Sequence, residues 1–484
     1  MATRYEELAE ALSMRIQAGQ LRPGEKLPSV RQACRNTHLS PSTVFQAYYL
    51  LESRGLIEAR PRSGYYVCHR TPTAVRPPSA ADVSTATTEV AVSELIFDVL
   101  RSTRDADVVP LGSAFPSPAL FPLDKLARSG ARAMRHLAPT ALTAELTAGN
   151  ERLRSALRAR YTRHGITLNA DEPLITNGAM EALNLCLQAV TRPGDVVAVE
   201  SPTFYAALQA LERLHLRAVE VPTDPQQGMD PDGLAEVIAR HRPAACWVMP
   251  SFQNPLGALM PTSRRQAIVQ RLAAEGIPVI EDDVYAELFH GATRPHPLKA
   301  FDRDGLVLHC SSFSKCLAPG YRIGWAAAGR YATTVMRLKM MGSLGAPVPS
   351  QLALADYLEQ GGLDSHLRRL RRQLAEQVGR VRRWVLAHFP PGTSVSDPQG
   401  GYFLWVELPE GIDTLRLHQQ ALEKGISLAP GPLFSADHRF RHALRLNAGH
   451  PGDDRVLHSI QTLGRLITAQ HRQETAPKPR ARHG

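Results

Sequence analysis

The stretch that decides the fold of the larger part of the chain is residues 306–325, LVLHCSSFSKCLAPGYRIGW. It begins with the apolar run Leu306–Leu308, continues with several hydroxyl side chains, and then carries Lys315 and, seven residues later, Arg322. A short apolar run of this kind is typical of a strand buried on both faces. Polar groups that follow such a strand lie where open α/β sheets bind ligands. The stretch therefore predicts an α/β fold with a ligand site at the end of this strand.

The remainder of residues 108–470 shows the same alternation of apolar runs and longer helical segments. The strand-like runs lie at 174–176, 196–199, 217–221, 245–249, 278–280, 306–308 and 323–325. Short buried strands separated by helices predict βαβ crossovers and a mostly parallel sheet. Polar stretches follow three more of the runs, at 176–180 (TNGAM), 251–255 (SFQNP) and 281–285 (EDDVY). From Gly400 onward the pattern predicts a smaller C-terminal α+β subdomain.

The first 70 residues have a different texture and predict a winged helix-turn-helix. The pattern indicates a first helix up to Gly19, a second at 29–36, a third at 40–54, and a hairpin with strands at 56–59 and 65–67. Ser40 is a good N-cap for the third helix, with Pro41 at its first position. A helix face of small hydroxyl and amide groups suits the major groove, and arginines on the hairpin turn suit phosphates. The pattern alone equally allows a small helical adaptor whose charges are simply solvated.

The sequence thus divides into four segments. They are the winged helix at 1–70, a linker with a connecting helix at 71–107, the α/β domain at 108–470 and a tail at 471–484. The linker is rich in Pro and Ser up to about residue 91 and predicts a semi-extended tether. The net charge of +10 is unevenly spread, because residues 1–70 hold 10 Lys and Arg against 6 Asp and Glu, and the tail holds 4 against 1. The positive charge therefore concentrates on the predicted DNA-binding segment and the tail.

Composition excludes several classes of protein. Of the 484 residues, 43% are hydrophobic and 21% charged, which are ordinary values for a folded globular protein. The start of the chain lacks an apolar signal-peptide core, and no run of 18 apolar residues exists, so we expect a cytoplasmic protein without a membrane span. The six cysteines are scattered without a Cys-x-x-Cys pair, and no metal-ligand spacing occurs, so we expect neither a disulfide scaffold nor a metal site.

The four polar stretches supply groups that pyridoxal phosphate needs. Lys315 offers the amine for a Schiff base with the aldehyde, and Asp282 offers the carboxylate that keeps the pyridinium nitrogen protonated. Asn254 and Tyr285 suit the ring hydroxyl. Each residue also has a structural alternative, because a lone Lys is usually a solvated surface charge and an Asp at a strand end often caps a helix.

The phosphate and the ring face of the same cofactor predict further residues. Main-chain N–H groups of Gly178 and Ala179 at a helix start, the hydroxyl of Ser312 and the guanidinium of Arg322 suit the phosphate. Phe204 is the candidate to stack on the ring, although it could equally be a core residue. Neither G-x-G-x-x-G nor a P-loop occurs, so a dinucleotide or a nucleoside triphosphate is not indicated.

These motifs resemble those of fold-type I aminotransferases, of the aspartate and 2-aminoadipate aminotransferase class, over about residues 108–468. The resemblance implies a PLP-dependent transferase fold, with Arg445 as the clamp for the α-carboxylate of a substrate. Two positions depart from the family pattern. Ala179 stands where the family often has Ser, and residues 144–146 (AEL) stand where a Tyr usually reaches the cofactor of the partner subunit.

Residues 3–69 resemble the GntR-type winged-helix domain, on residues 21–31 (LRPGEKLPSVR) and 40–48 (SPSTVFQAY). The resemblance implies binding of double-stranded DNA through Ser29, Arg31, Ser42, Thr43 and Gln46, with Arg62 and Gly64 on the wing. Many such domains carry Arg where this chain has Pro41, so one of the usual DNA contacts is missing.

A winged helix, a tether and an aminotransferase-like domain in this order resemble the MocR-type regulators of the GntR superfamily. The resemblance implies a transcriptional regulator that binds pyridoxal phosphate on Lys315, senses a small amino compound or the cofactor itself, and forms a head-to-tail homodimer. The alternative from another class is a working aminotransferase of amino acids, with an accessory DNA-binding domain.

Overall fold

The computed structural model describes residues 4–17, 20–22, 24–53, 56–60, 63–67, 77–80, 86–102, 107–135, 137–143 and 147–475. The chain divides into two compact units, the first formed by residues 1–76 and 379–387 and the second by residues 77–378 and 388–484. Among the described residues, no helix is both long and apolar enough to cross a membrane.

The described residues from 4 to 67 of the N-terminal unit form three helices and a two-stranded hairpin. They are α1 (Arg4–Gln17), α2 (Val30–Thr37), α3 (Pro41–Ser53), β1 (Ile57–Arg60) and β2 (Gly64–Val67). Polar caps set the starts of α2 and α3, since Ser29 Oγ accepts a hydrogen bond from Gln32 N (3.3 Å) and Ser40 Oγ accepts one from Thr43 N (3.2 Å). The strands pair antiparallel, with Ile57 opposite Val67. The predicted winged helix-turn-helix is therefore confirmed, with element ends within one or two residues of the expectation.

The core of this unit is formed by the inward faces of the helices and the hairpin. Its fully buried residues include Ala9, Val44, Ala47 and Leu51. Tyr48 is also buried, and its hydroxyl donates a hydrogen bond to the carbonyl of Pro28 (2.8 Å). One apolar stripe on α3 thus fixes this helix against the remainder of the unit, and leaves its opposite face exposed.

The second unit is built on a mixed sheet and a smaller antiparallel sheet. The strands of the mixed sheet are β3 (Thr88–Glu89), β4 (Leu174–Thr176), β5 (Val196–Ser201), β6 (Arg217–Asp224), β7 (Gly228–Met229), β8 (Ala245–Val248), β9 (Val279–Asp282), β10 (Val307–Ser312) and β11 (Gly324–Ala327). Their order is β3-β6-β5-β8-β9-β10-β11-β4, with β7 paired to β6. Five neighbouring strands of this order are parallel, namely β6, β5, β8, β9 and β10. Strand β11 runs antiparallel to both of its neighbours, β10 and β4. The predicted mostly parallel sheet is confirmed.

The smaller sheet forms the predicted C-terminal α+β subdomain. Its strands are β12 (Ser394–Val395), β13 (Phe403–Glu407), β14 (Ala429–Pro430) and β15 (Ala443–Asn447), in the antiparallel order β12-β13-β15-β14. The remaining helices are α4 (Ser93–Ser102), α5 (Leu123–Arg135), α6 (Glu151–Arg163), α7 (Ala179–Val190), α8 (Tyr205–Arg213), α9 (Pro231–His241), α10 (Thr262–Ala274), α11 (Ala332–Gly342), α12 (Val348–Glu359), α13 (Gly362–His388), α14 (Thr414–Leu422) and α15 (Asp454–Thr475).

The predicted tether is shorter than expected at its C-terminal end. Thr88 and Glu89 form the edge strand β3, paired antiparallel with β6, and Val90 and Val92 after them are buried. The beginning of α4 is then held by one carboxylate, because Glu212 Oε2 accepts hydrogen bonds from Val92 N (2.9 Å), Ser93 N (2.9 Å) and Ser93 Oγ (2.8 Å). The expectation that residues up to about 91 have little to bury is wrong for this stretch.

The contacts of Glu212 predict that it fixes the beginning of α4 within the second unit. Glu212→Ala removes a charged acceptor from two main-chain N–H groups, which costs about 1–3 kcal/mol of local stability. We expect amide hydrogen exchange of residues 92–96 to become at least about tenfold faster, while the central strands are unchanged. Glu236→Ala, which removes an exposed carboxylate on α9, is the matched control. Unchanged exchange at residues 92–96 in Glu212→Ala would contradict this assignment.

Candidate functional site

The predicted site residues of the second unit meet at one edge of the mixed sheet. Asp282 is the last residue of β9 and Ser312 the last of β10, while Asn254 follows β8 by six residues. Because these strands are parallel, their carboxyl ends lie at the same edge. Since β4 is antiparallel to β11, and β11 to β10, the end of β4 with Gly178 after it also points there. β9 extends two residues and β10 four residues beyond the apolar runs that predicted them, so Asp282 and Ser312 lie inside the strands.

The carboxyl group of Asp282 is buried and incompletely paired. Its side chain is almost fully removed from solvent, and its Oδ1 has no hydrogen-bond partner in the part of the chain that the structure describes. Burial, together with the nearby charge of Asp283, raises the pKa of Asp282 to about 7, although the main-chain N–H of Val284 acts in the opposite direction. A buried oxygen of this kind is costly unless a donor reaches it. The site therefore favours a ligand with a positively charged or N–H donor at this point.

Lys315 extends from the turn after β10 into the same space. Its Nζ donates a hydrogen bond to the carbonyl oxygen of Ala114 (2.8 Å) and lies 3.7 Å from the centroid of the Phe115 ring. Burial, followed by the positive charge of Arg445, lowers the pKa of Lys315 to about 7, against the attraction of Asp282. A large share of the side chain is thus a neutral amine near neutral pH, which is the form that attacks an aldehyde.

Arg445 lies on β15 and is fully buried between aromatic rings. Its guanidinium carbon is 4.2 Å from the ring centroid of Phe403 and 5.4 Å from that of Phe434. Its Nη1 donates a hydrogen bond to Oδ1 of Asn254 (2.9 Å). Burial lowers the pKa of Arg445 from its usual range. Neither Nε of Arg445 nor Nδ2 of Asn254 has a hydrogen-bond partner among the residues described here.

A segment that sequence reasoning did not single out covers this site. It is residues 111–117, here called the covering segment. Arg445 Nη2 donates hydrogen bonds to the carbonyls of Gly112 (2.7 Å) and Ser113 (3.2 Å), and Asn447 Nδ2 donates to those of Ser113 (3.0 Å) and Phe115 (2.6 Å). The carbonyl of Ala114 accepts from Lys315. These contacts use main-chain oxygens, which every residue has, so no side-chain pattern could have revealed them.

Two tyrosines complete the wall of the site. Tyr285 is buried with its ring packed edge-on against Tyr402 (centroids 5.7 Å apart) and Phe403 (5.6 Å). Burial raises the pKa of Tyr285 well above its usual value. Tyr402, which was not predicted, donates its hydroxyl hydrogen to the carbonyl of Ala114 (3.0 Å) and so contacts the same oxygen as Lys315. The sequence signal that could have indicated Tyr402 is its position directly after the glycine pair Gly400 and Gly401.

The predicted phosphate-binding residues lie around the beginning of α7. Gly178 precedes this helix with a φ of +81°, and a Cβ in its place would lie 2.5 Å from Nη2 of Arg322. Only glycine leaves room here for the helix N–H groups and the guanidinium to face one anion. Arg322 Nη1 also lies 3.4 Å from Oγ of Ser314, a second hydroxyl that the sequence analysis missed. Ser312 is buried, and its Oγ accepts from Ser314 N (3.3 Å).

Phe204, predicted to stack on a ring, is half-buried at the N-cap of α8. Its ring packs against Tyr205, with centroids 4.9 Å apart, and Tyr205 in turn packs against Phe434 (5.9 Å). The aromatic series therefore connects Phe204 to the surroundings of Arg445.

A buried charged cluster lies on the other face of β9. Ligand atoms of Glu281, Asp283 and His309 lie within 4.8 Å of one another. Arg294 and His309 both donate to Asp283 Oδ2 (2.8 and 3.1 Å), and the carboxylate of Glu281 accepts from the N–H groups of Leu298 and Lys299. These contacts make the cluster an ion-pair and hydrogen-bond network that supports the strand.

On the N-terminal unit, the predicted DNA-binding residues are mostly exposed. Ser29, Arg31, Ser42 and Gln46 are exposed on α2, α3 and their caps. Thr43 is half-buried, with Oγ1 2.8 Å from Oγ of Ser40, and Gly64 begins β2 with a φ of +109°. Arg62 lies outside the described residues. The assignment of these residues to DNA contacts stays a prediction.

Comparison with known proteins identifies both parts. Residues 108–457 match the family model described as aminotransferase class I and II. The chain belongs to this family. Residues 4–67 match a second model, that of bacterial regulatory proteins of the gntR family. The predicted combination of a GntR-type DNA-binding domain with an aminotransferase domain, as in MocR-type regulators, is confirmed.

Both regulators and aminotransferases are similar to this chain. The uncharacterized HTH-type transcriptional regulator YdcR of Escherichia coli is 46% identical over 96% of this chain and 99% of its own length. Among solved structures, the multiple substrate aminotransferase of Thermococcus profundus has a TM-score of 0.73 and 29% identity, over 78% of this chain and 95% of its own. The α-aminoadipate aminotransferase LysN of Thermus thermophilus, complexed with N-(5'-phosphopyridoxyl)-L-leucine, has a TM-score of 0.71 and 29% identity. The match covers 79% of this chain and 100% of the LysN chain.

The raised pKa of Asp282 predicts a pH-dependent contribution to stability. Between about pH 4 and 7 the folded, cofactor-free protein keeps a proton on Asp282 that the unfolded chain releases. The free energy of unfolding therefore falls as pH rises through this window, by up to about 1.4 kcal/mol per unit from this group. We expect Asp282→Asn to remove that fall. In urea unfolding at pH 5, 6 and 7, the free energy of unfolding of the variant should therefore rise relative to that of the wild type.

Asp304→Asn, at an exposed position, is the control and should differ from wild type by the same amount at every pH. A constant difference between Asp282→Asn and wild type would show that Asp282 is ionised throughout the window.

Proposed function

We propose that this chain is a transcriptional regulator whose aminotransferase domain holds pyridoxal phosphate and responds to a small amino compound. One observation carries the proposal: a GntR-type DNA-binding domain is covalently joined to a site where Lys315, Asp282 and Asn254 converge. The name of the relative YdcR, an HTH-type transcriptional regulator over nearly the whole length, supports the regulatory function. We expect the protein to act in the cytoplasm, because bacterial promoter DNA lies there.

The unpaired buried atoms of the site fit the cofactor. Asp282 Oδ1 offers an acceptor for the pyridinium N–H, and Asn254 Nδ2 offers a donor for the ring hydroxyl oxygen; neither has another partner among the described residues. Tyr285 lies against the same wall. The complex of LysN with a phosphopyridoxyl amino acid supports the same choice of cofactor. When bound, pyridoxal phosphate supplies an aldehyde carbon that can be held by Lys315 or by the amine of an effector.

The phosphate of the cofactor fits the beginning of α7. The N–H groups of Gly178 and Ala179 and the guanidinium of Arg322 face this point, and Ser312 and Ser314 add hydroxyls. Ala179 provides no hydroxyl, so binding of the phosphate depends on main-chain donors and on Arg322. Phe204 remains the candidate for the ring face.

Arg445 would bind the carboxylate of an amino-acid effector, and this contact gives a route for the signal. Its Nη2 already donates to the carbonyls of Gly112 and Ser113 in the covering segment. A carboxylate is a stronger, bidentate acceptor, so its arrival competes with these carbonyls. The covering segment is followed toward the N-terminus by α4, β3 and the linker to the winged helix. A ligand that moves the covering segment thereby shifts the balance between two arrangements of the regulator.

The resemblance to MocR-type regulators also implies a head-to-tail homodimer. A dimer would match an operator with two half-sites. The residues expected to contact that operator are those given above for α2, α3 and the wing.

The decisive experiment combines DNA binding with turnover. Purified protein should retard DNA from its own promoter region at low salt, and addition of pyridoxal phosphate with amino acids or amines should alter that binding. No retardation of any fragment would remove the regulatory function. Sustained conversion of amino and keto acids at ordinary enzyme rates, without an effect on DNA binding, would instead establish the alternative of a working aminotransferase.

The amine of Lys315 predicts the effect of its removal. Lys315→Ala should keep the fold but abolish covalent attachment of pyridoxal phosphate, seen as loss of the visible absorbance band and of borohydride-trapped cofactor in mass spectra. DNA binding should remain, because the winged helix is unchanged, but its response to cofactor and amino compound should be lost. Lys424→Ala, at an exposed position, should behave as wild type. Trapping of cofactor elsewhere in the same site of Lys315→Ala would contradict the assignment.

The position of Arg445 predicts a selective loss of response. Arg445→Gln should reduce the affinity for an amino-acid effector by about tenfold or more, since a charge-assisted bidentate contact is lost. The response to the corresponding amine, which lacks the carboxylate, should change far less. The readout is the ligand concentration needed for the half-maximal effect on DNA binding. An equal loss for amino acid and amine would show that Arg445 only supports the fold of the site.

A further inference from the structure

The exposed face of α3 has an unusual composition for a helix that reads DNA. The helix, PSTVFQAYYLLES, contains no Lys or Arg, and its only charged residue is Glu52. Ser42, Phe45, Gln46 and Tyr49 are spaced three and four residues apart, so they share one face. Phe45 is 56% exposed and Tyr49 48% exposed. Large aromatic rings thus stand on the face that points away from the core.

Phe45 projects from a firmly packed base. Its ring meets Tyr65 of β2 edge-on, with centroids 6.5 Å apart and planes at 88°. Tyr65 packs in turn on the buried Tyr48, with centroids 5.1 Å apart. This packing fixes the base of the Phe45 side chain but leaves more than half of its surface to water. Because burial of a Phe side chain is strongly favourable, the free surface is suited to an apolar group on a binding partner.

The major groove of DNA offers one such group. Guanine is read best by the bidentate donors of Arg or Lys, adenine by the amide of Asn or Gln, and thymine by apolar contact with its C5-methyl group. The face of α3 has no cation for guanine, but it carries the amide of Gln46 next to the ring of Phe45. The match to the gntR family and the positive charge of residues 1–70 make DNA the occupant of this face.

We propose that Phe45 contacts thymine methyl groups in the major groove, and that α3 thereby selects A·T base pairs in each half-site. Gln46 lies on the same face to read the adenine edges. The inference rests on the proposed DNA-binding function and adds the base that one side chain recognises.

The test replaces thymine by deoxyuridine, which lacks only the C5-methyl group. An operator is first obtained by selecting DNA fragments with the full-length protein, and its half-site thymines are then replaced by deoxyuridine. Wild-type protein should bind the uracil operator about fourfold more weakly for each methyl group contacted. Phe45→Ala should bind both operators equally, with an affinity close to that of wild type for the uracil operator. This agreement is the expected result of a double-mutant cycle on a direct contact.

Two further variants make the result specific. Phe97→Ala removes an exposed Phe (58%) from α4 of the other unit and should retain the full preference for thymine. Gln46→Ala should weaken binding to both operators but keep the thymine-to-uracil ratio of wild type. Because Phe45 is exposed, Phe45→Ala should unfold at nearly the temperature of wild type.

The opposite results would overturn the inference. Equal binding of both operators by wild type, or an unchanged preference for thymine in Phe45→Ala, would exclude the methyl contact while leaving DNA binding intact. A lost dimer in Phe45→Ala, with that preference unchanged, would assign the ring to a protein contact. No binding to any DNA would overturn the proposed function together with this inference.

Discussion

The free-energy cost of removing Lys315 and Asp282 from water determines the charge state of the candidate site in the larger unit. Burial acts on the two groups in opposite directions, and it brings both pKa values to about 7. Oδ1 of Asp282 accordingly has no hydrogen-bond partner among the residues that the structure describes. The missing interactions can be supplied by a ligand that carries its own positive ring nitrogen and its own phosphate charge. The protein thus stores part of its binding free energy as incomplete solvation of two side chains.

The alternation of side chains along β9 makes this arrangement compatible with so much nearby charge. Glu281 and Asp283 point to the opposite face from Asp282, because successive residues of a strand face opposite sides. There Asp283 accepts from Arg294 and His309, which lower its pKa, and Glu281 accepts from two main-chain N–H groups, although burial still raises its pKa. Three consecutive acidic residues therefore experience two distinct electrostatic environments. The face with Glu281 and Asp283 holds ion pairs and hydrogen bonds that stabilise the strand, and the face with Asp282 adjoins Lys315 and is available for chemistry.

Much of this could be predicted from the sequence, because the groups involved carry recognisable side chains at strand ends. Parallel strands bring Asn254, Asp282 and Lys315 to one edge whatever the details of the loops. The two-residue edge strand β3 was missed because Thr88 and Glu89 give too short a pattern to distinguish from a tether. The covering segment was missed for another reason: it acts through carbonyl oxygens, which leave no mark on residue type. Tyr402 and Ser314 carry recognisable side chains, but their roles could not be predicted because they depend on where the fold places Ala114 and Arg322.

The covering segment has an evolutionary consequence. Because its hydrogen bonds with Arg445, Asn447 and Lys315 are accepted by main-chain carbonyls, most side chains along it are free to diverge without loss of those hydrogen bonds. Phe115 also contributes through its side chain, since its ring lies 3.7 Å from Nζ of Lys315. Gly112 is an exception, since a Cβ there would lie 2.8 Å from the carbonyl of Leu428. Enzymes and regulators built on this fold can therefore share the same reactive residues and still separate in behaviour. The difference between catalysis and gene control would then lie in the chain that precedes the covering segment, and not in the reactive side chains that this segment contacts.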